Sequence, residues 1–203
     1  MKGWRTALVA VSLLSSVSGA AWGAPVLLIA IDGLRPVDVR EAKDKKINIP
    51  HLRRFMDEGS SARSVQGVLP TVTYPSHTTL LTGAAPARHG IVSNTSFDPL
   101  QINQTGWFWY GSDIRRDTLW DAAAKVGLST ANVHWPVSVG VRSIRWNLPQ
   151  IWRTGHEDDA KLLNALATPK LLTELKVNGV PYAAGVDESI NADPLPDIAI
   201  PSD

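Results

Sequence analysis

Residues 26–36 read Val-Leu-Leu-Ile-Ala-Ile-Asp-Gly-Leu-Arg-Pro, "VLLIAIDGLRP". Six apolar residues run without interruption and stop at Asp32-Gly33. A continuous apolar run of this length suits a strand buried on both faces, as in a parallel sheet, rather than the alternating pattern of a half-solvated one. In open α/β sheets, ligand sites form at the carboxyl ends of the strands, which is where Asp32 stands. A buried carboxylate there needs a partner, although Asp-Gly is also a common turn pair.

Working outward, Asn48 and Pro50 open an expected helix with Leu52, Phe55 and Met56 on one face and Gly59 as its stop. Ala62–Gln66 reads as a second strand. It leads into "LPTVTYPSHTTLLTG", residues 69–83. Pro75 suits the first helical position, because it has no N–H to leave unpaired there. The expected helix is Ser76–Thr82, with Gly83 as a left-handed stop. Thr73 then stands just outside a helix N-terminus, where backbone N–H groups and the helix dipole favour an anion. Both a capping role and a chemical one are open to it at this point.

Further along, Asp117 or Thr118 caps a helix whose buried face is Leu119, Trp120, Ala123 and Val126, ending near Gly127. Ser129–Trp135 reads as a strand. Residues 162–175 have helical period, with Pro169 breaking or restarting the helix. The alternation of strands and helices implies an α/β fold of three layers with a mainly parallel sheet.

Composition bounds the function. The chain has 203 residues, 44% hydrophobic and 19% charged, with a formal net charge of +1. A packed core is expected, and no basic run suggests a nucleic-acid groove. Lys2 and Arg5, the uncharged stretch Thr6–Ala20 and the small residues Gly19 to Ala24 have the order of a secretory signal peptide over residues 1–24. The apolar stretch is short for a membrane span, which needs roughly 20 residues. An exported protein, periplasmic or secreted, with no stable membrane span after cleavage is the expectation. With no cysteine in the chain, neither disulfides nor a lipidated cysteine can contribute.

The segments "VLLIAIDGLRP", "LPTVTYPSHTTLLTG" and "APARHGIVSN", in this order, resemble the nucleotide pyrophosphatase/phosphodiesterase family of the alkaline phosphatase superfamily. The resemblance continues more weakly through "TLWDAAAKVGLSTANVHWPVSVG". It implies an alkaline-phosphatase-like three-layer sandwich and metal-dependent hydrolysis of a phosphodiester or pyrophosphate bond. By resemblance Asp32 is a zinc ligand, and Thr73 is the nucleophile that also touches a metal. Asn94 would donate its amide N–H to a phosphate oxygen, and a phosphothreonine would form as the intermediate. Tyr74 is open to two roles, an aromatic face for the substrate or a packing residue. The implied cofactors are two Zn²⁺ ions and the implied partner is a small phosphorylated substrate, a nucleotide or another phosphodiester.

The family draws most of its zinc ligands from an Asp-x-x-x-His segment, an Asp-His pair and a late His, and none of these follows Asn94 here. Residues 25–203 therefore resemble the N-terminal part of the catalytic domain, with a sheet incomplete at its C-terminal end. A phosphomonoesterase or phosphonate hydrolase of the same superfamily is the alternative, as is a truncated chain without activity. His77 reads as a packing or hydrogen-bonding residue and His89 as part of the turn before Gly90. "HEDD", residues 156–159, reads as a solvated helix start, and Asn94-Thr95-Ser96 as a chance glycosylation match.

Overall fold

The computed structural model describes residues 24–97, 99–100, 106–151 and 159–180. Residues 1–23 of the expected signal segment and residues 156–158 of "HEDD" lie outside them. The chain divides into two units, residues 1–47 and 48–203.

In the first unit the expected buried strand does not form. Residues 26–31 have no strand pairing, and Val26 is 93% exposed. An apolar run is consistent with a buried strand only when neighbouring strands cover it, and no ladder reaches this one. Asp32-Gly33 forms a turn instead, with Gly33 at φ +70°. Helix α1, Pro36–Arg40, starts on a proline and buries Val39. Asp38 on its first turn takes Arg35 at 2.8 Å and Lys45 at 3.2 Å, which holds the carboxyl below its ordinary range.

The second unit opens with α2, Pro50–Glu58. The helix is where its pattern places it, but none of its residues is buried and Phe55 is 68% exposed. Its pairs Arg53–Asp57 and Arg54–Glu58, four residues apart, add only tenths of a kcal/mol each. The strand expected at Ala62–Gln66 is absent, and these residues are exposed.

Helix α3, Thr73–Thr82, buries Tyr74, Pro75, Thr78 and Leu81. That spacing of four and three residues presents one stripe to the interior. Gly83 ends it at φ +64°, donating to Thr79 O at 2.8 Å. The short α4, Pro86–His89, follows, and then a paired loop in which Thr95 bridges Trp107 in antiparallel sense. A single 3-10 turn, Gly111–Asp113, precedes α5, Leu119–Lys125. Thr118 caps α5 in a full capping box with Asp121. The buried face of α5 is narrower than its pattern suggests: Trp120 is buried, whereas Leu119 and Val126 are exposed.

Strands β1, Ala131–Val133, and β2, Trp146–Leu148, pair in parallel, with Asn132 opposite Asn147. The two carboxamides are buried and their bonds close on one another. Asn132 Nδ2 donates to Asn147 Oδ1 at 2.8 Å and to Ser138 Oγ at 3.0 Å, and Asn147 Nδ2 donates to Ser138 O at 2.7 Å. Val137, fully buried inside this bend, has φ +55°, a conformation that a β-branched residue holds only under tight surrounding constraint. Helices α6, Asp159–Leu166, and α7, Leu171–Val177, are separated at Pro169 as read, with Lys170 at φ +69° between them.

Three apolar clusters organise this unit. Leu81, Trp120, Trp135 and Ile144 form the first; Leu148, Leu163, Ala167 and Leu172 the second; Tyr74, Ile91 and Val137 the third. The architecture is α/β, with parallel pairing among the described residues at the β1–β2 pair and at a single Tyr110–Val139 bridge.

Candidate active site

Thr73 is the first residue of α3, not a residue outside it. The helix starts two residues earlier than Pro75 suggests, and Val72 occupies the N-cap position with extended backbone. Valine has no side-chain acceptor, so the first-turn N–H groups must look elsewhere. Pro75 removes one donor by having none. The Tyr74 N–H donates to Asn94 Oδ1 at 2.9 Å, so a residue twenty positions along the chain does what an N-cap side chain ordinarily does.

That bond also orients Asn94. Only the oxygen end of a carboxamide accepts, so Oδ1 faces α3 and the donor end, Nδ2, points away from the Tyr74 bond. The backbone around Asn94 is held independently. Asn94 O accepts from Phe108 N at 3.0 Å, and Ser96 N donates to Gly106 O at 2.9 Å. The structure thus brings Thr73 and Asn94 together at one helix end, both half-buried.

Tyr74 takes the packing role of the two open to it. It is 2% exposed, with its ring tilted against Trp107 at 5.3 Å between centroids. Its hydroxyl is buried without a hydrogen-bond partner, and burial pushes the phenol well above its ordinary range. A ring enclosed in this way offers no open face to a substrate. A groove of about 760 Å³ is lined among others by Ser93, Thr95, Phe97, Phe108 and Arg115.

His77 acts as read, in hydrogen bonding and packing. His77 Nδ1 donates to Thr73 O at 2.8 Å, and its ring meets Trp135 edge-on at 5.0 Å. His89 does more than fill a turn. It is fully buried, its Nδ1 accepts from Ile91 N at 3.2 Å, and its Nε2 lies 3.0 Å from Thr79 Oγ1. An accepting Nδ1 leaves the proton on Nε2, which therefore donates to α3. Burial pushes its pKa below the ordinary histidine value, and a hydrogen bond with the backbone of Pro75 opposes part of that shift. Neither the Asn94 cap nor the Thr79–His89 bond has a local sequence signature.

Asp32 sits in the exposed turn of the first unit, whereas Thr73, Tyr74 and Asn94 belong to the second. Among the described residues, no three His, Cys, Asp or Glu side chains gather closely enough to hold a metal ion. A catalytic zinc ordinarily has three protein ligands. The described residues therefore do not by themselves fit a zinc centre.

A nucleophile-type hydroxyl at a helix N-terminus, beside an oriented amide donor, is an arrangement suited to phosphoryl transfer. The chain belongs to the type I phosphodiesterase / nucleotide pyrophosphatase family, whose profile matches residues 26–188. It is 27% identical over 139 residues to ectonucleotide pyrophosphatase/phosphodiesterase family member 3 of Rattus norvegicus, covering 64% of this chain and 15% of that protein. It is 30% identical over 120 residues to a venom phosphodiesterase of Naja atra, covering 56% and 14% respectively. With ectonucleotide pyrophosphatase/phosphodiesterase family member 5 of Homo sapiens it shares 37% identity over 94 residues, 46% of this chain and 19% of the relative. The matched region is thus less than a fifth of the length of each of these relatives.

Proposed function

We propose that this chain carries the nucleophile end of a hydrolase of phosphodiester or pyrophosphate bonds, acting through a phosphothreonine at Thr73. The observation that carries the reading is the Tyr74 N–H to Asn94 Oδ1 bond, which fixes Asn94 at the helix end where Thr73 stands. In the first step Thr73 Oγ1 loses its proton and bonds to phosphorus, and the bond from phosphorus to the leaving oxygen breaks. That oxygen departs with a proton as an alcohol or a phosphate. Water then attacks phosphorus, releases the phosphorylated product and returns the threonine hydroxyl. Throughout, the positive end of the α3 dipole and the Asn94 Nδ2 donor stabilise charge building on the non-bridging oxygens.

The two Zn²⁺ ions implied by the resemblance, with Asp32 and Thr73 as ligands, need donors that the described residues do not gather, and no step above is routed through them. The fold reading that accompanies this function is the alkaline-phosphatase-like three-layer sandwich, supported by the family match and by the parallel β1–β2 pair. The substrate is a small phosphodiester, a reading supported by the phosphodiesterase and pyrophosphatase names of the relatives. Export is proposed from the charged start and small-residue cluster of residues 1–24. No helix among the described residues is long and apolar enough to cross a membrane.

The test is turnover of an aryl phosphodiester by the full chain supplied with Zn²⁺, comparing Thr73→Ala, Ser76→Ala and Thr78→Ala. Loss confined to Thr73→Ala, with a phosphorylated Thr73 found by mass spectrometry after acid quenching, is the expected result. Equal damage from all three substitutions would overturn the assignment of the nucleophile.

A further inference from the structure

Five links close into one ring. Tyr74 N–H bonds Asn94 Oδ1 at 2.9 Å; Tyr74 and Thr79 lie on one rigid helix; Thr79 Oγ1 meets His89 Nε2 at 3.0 Å; His89 Nδ1 accepts from Ile91 N at 3.2 Å; and three residues of chain return from Ile91 to Asn94. His89 is the one side chain in the ring that touches both α3 and the segment carrying Asn94. Its carbonyl is also tied, accepting from Arg115 N at 2.9 Å. Gly90, next to it, has φ +89°, a left-handed conformation that favours glycine.

We propose that His89 is a positioning residue for the phosphoryl-transfer site. Held as the neutral Nε2–H tautomer, it clamps the Asn94 segment onto the helix that presents Thr73, so that Asn94 Nδ2 is set relative to the nucleophile. Several features separate this from ordinary packing. The imidazole is fully buried, yet both of its nitrogens have hydrogen-bond partners, one on each of the two segments whose relative placement matters. An apolar side chain of the same volume would fill the space without fixing that relation. Misplacing a reacting group by about 1 Å can cost on the order of a hundredfold in rate, so this clamp has a kinetic consequence larger than its share of stability.

The proposal rests on the phosphodiesterase reading, and its test has two readouts. Two variants divide the clamp. His89→Asn keeps a short acceptor for Ile91 N–H but no longer reaches Thr79. Thr79→Val removes the hydroxyl and leaves the imidazole intact. On an aryl phosphodiester both should lower kcat about tenfold or more while KM stays within about twofold. Combining either with Asn94→Ala should be no worse than Asn94→Ala alone, since the positioned group is then gone. The second readout is hydrogen exchange of the Tyr74 amide in the full chain, without substrate. It should quicken about tenfold in His89→Asn and by a smaller factor in Thr79→Val, where the imidazole keeps its bond to the Pro75 backbone, while amides around Leu163 and Leu172 keep wild-type rates. Should His89→Asn fail to fold, Thr79→Val carries both measurements. Unchanged Tyr74 exchange, or acceleration spread evenly over the unit, would overturn the clamp. A wild-type chain without turnover would defeat the phosphodiesterase reading and leave the exchange comparison to decide the clamp.

Discussion

The N–H of Tyr74 and the Oδ1 of Asn94, 2.9 Å apart, join the first turn of one helix to a loop twenty residues downstream. The same carboxamide thus has two separable jobs, an accepting oxygen that caps and a donating nitrogen that is proposed to meet phosphate. Substitution can part them. Asn94→Asp retains the acceptor, and a carboxylate is welcome at a helix N-terminus, so thermal stability should stay near wild type. Its donor is gone and a negative charge faces the incoming phosphate, so kcat should fall by two orders of magnitude or more, roughly the effect of removing a transition-state donor. Asn94→Ala should lose the cap as well, about 1 kcal/mol. Calorimetry alongside an aryl phosphodiester assay checks both. Equal stability of the Asp and Ala variants would remove the capping role.

Tyr74 presents a buried hydroxyl with no partner. Leaving a polar group unsatisfied costs about 1–3 kcal/mol, so Tyr74→Phe should stabilise the chain by about 1 kcal/mol, whereas Tyr74→Ala should cost about 3–5 kcal/mol through the cavity left against Trp107 and Ile91. Denaturant titration reads both. The same burial raises the phenol pKa above its ordinary value of 10.0. Because the folded pKa lies above the unfolded one, the neutral phenol's contribution is whole below about pH 10 and is lost as pH rises beyond it. In difference absorbance near pH 10, Tyr74 should stay silent until the chain unfolds. A Tyr74→Phe variant that is less stable than wild type would mean that the hydroxyl has a partner in solution.

What was legible in the sequence was chiefly what local chemistry decides. Gly83 stops α3 because only a left-handed residue ends it there, Thr118 caps α5 because its hydroxyl meets the Asp121 N–H three residues on, and Pro169 divides α6 from α7 because it has no N–H to donate. What failed depended on partners far along the chain. Val26–Ile31 has the composition of a central strand, but composition does not supply the neighbours that bury one. Pro75 places the start of α3 two residues late, since proline is accepted elsewhere in a first turn too, and the true cap comes from Asn94. The site residues Thr73 and Asn94 were found by resemblance to a family. Their contact through Tyr74 N–H, and the clamp at His89, follow only from the fold.

His89 also gives the chain a defined response to acid. Burial lowers its folded pKa below the ordinary 6.5, so the folded state favours the neutral ring. The unfolded chain then binds the proton first, and stability declines as pH falls below about 6.5 until the folded pKa is passed. Protonation would also convert Nδ1 from an acceptor into a donor facing the Ile91 N–H. The expected outcome is a fall in melting temperature between about pH 7 and pH 5, reduced in His89→Asn, which has no group to titrate there. An identical pH dependence in the variant would assign the effect to other groups.

The buried pair Asn132–Asn147 supports the last prediction. Three side-chain hydrogen bonds tie β1, β2 and the Ser138 bend, all of them inside the fold. Asn147→Leu keeps approximate volume but leaves the Ser138 carbonyl without the donor at 2.7 Å and removes the acceptor that Asn132 Nδ2 meets at 2.8 Å. Each buried group left unpaired costs about 1–3 kcal/mol, so the single variant should lose on the order of 2–5 kcal/mol, a large fraction of the stability of a small domain. Removing both carboxamides in Asn132→Leu/Asn147→Leu should cost less than the sum of the two single changes, because each single change strands the other partner. Denaturant unfolding of the four proteins closes the cycle. Strict additivity would show that the two asparagines act independently and that the parallel pair is held by its backbone bonds alone.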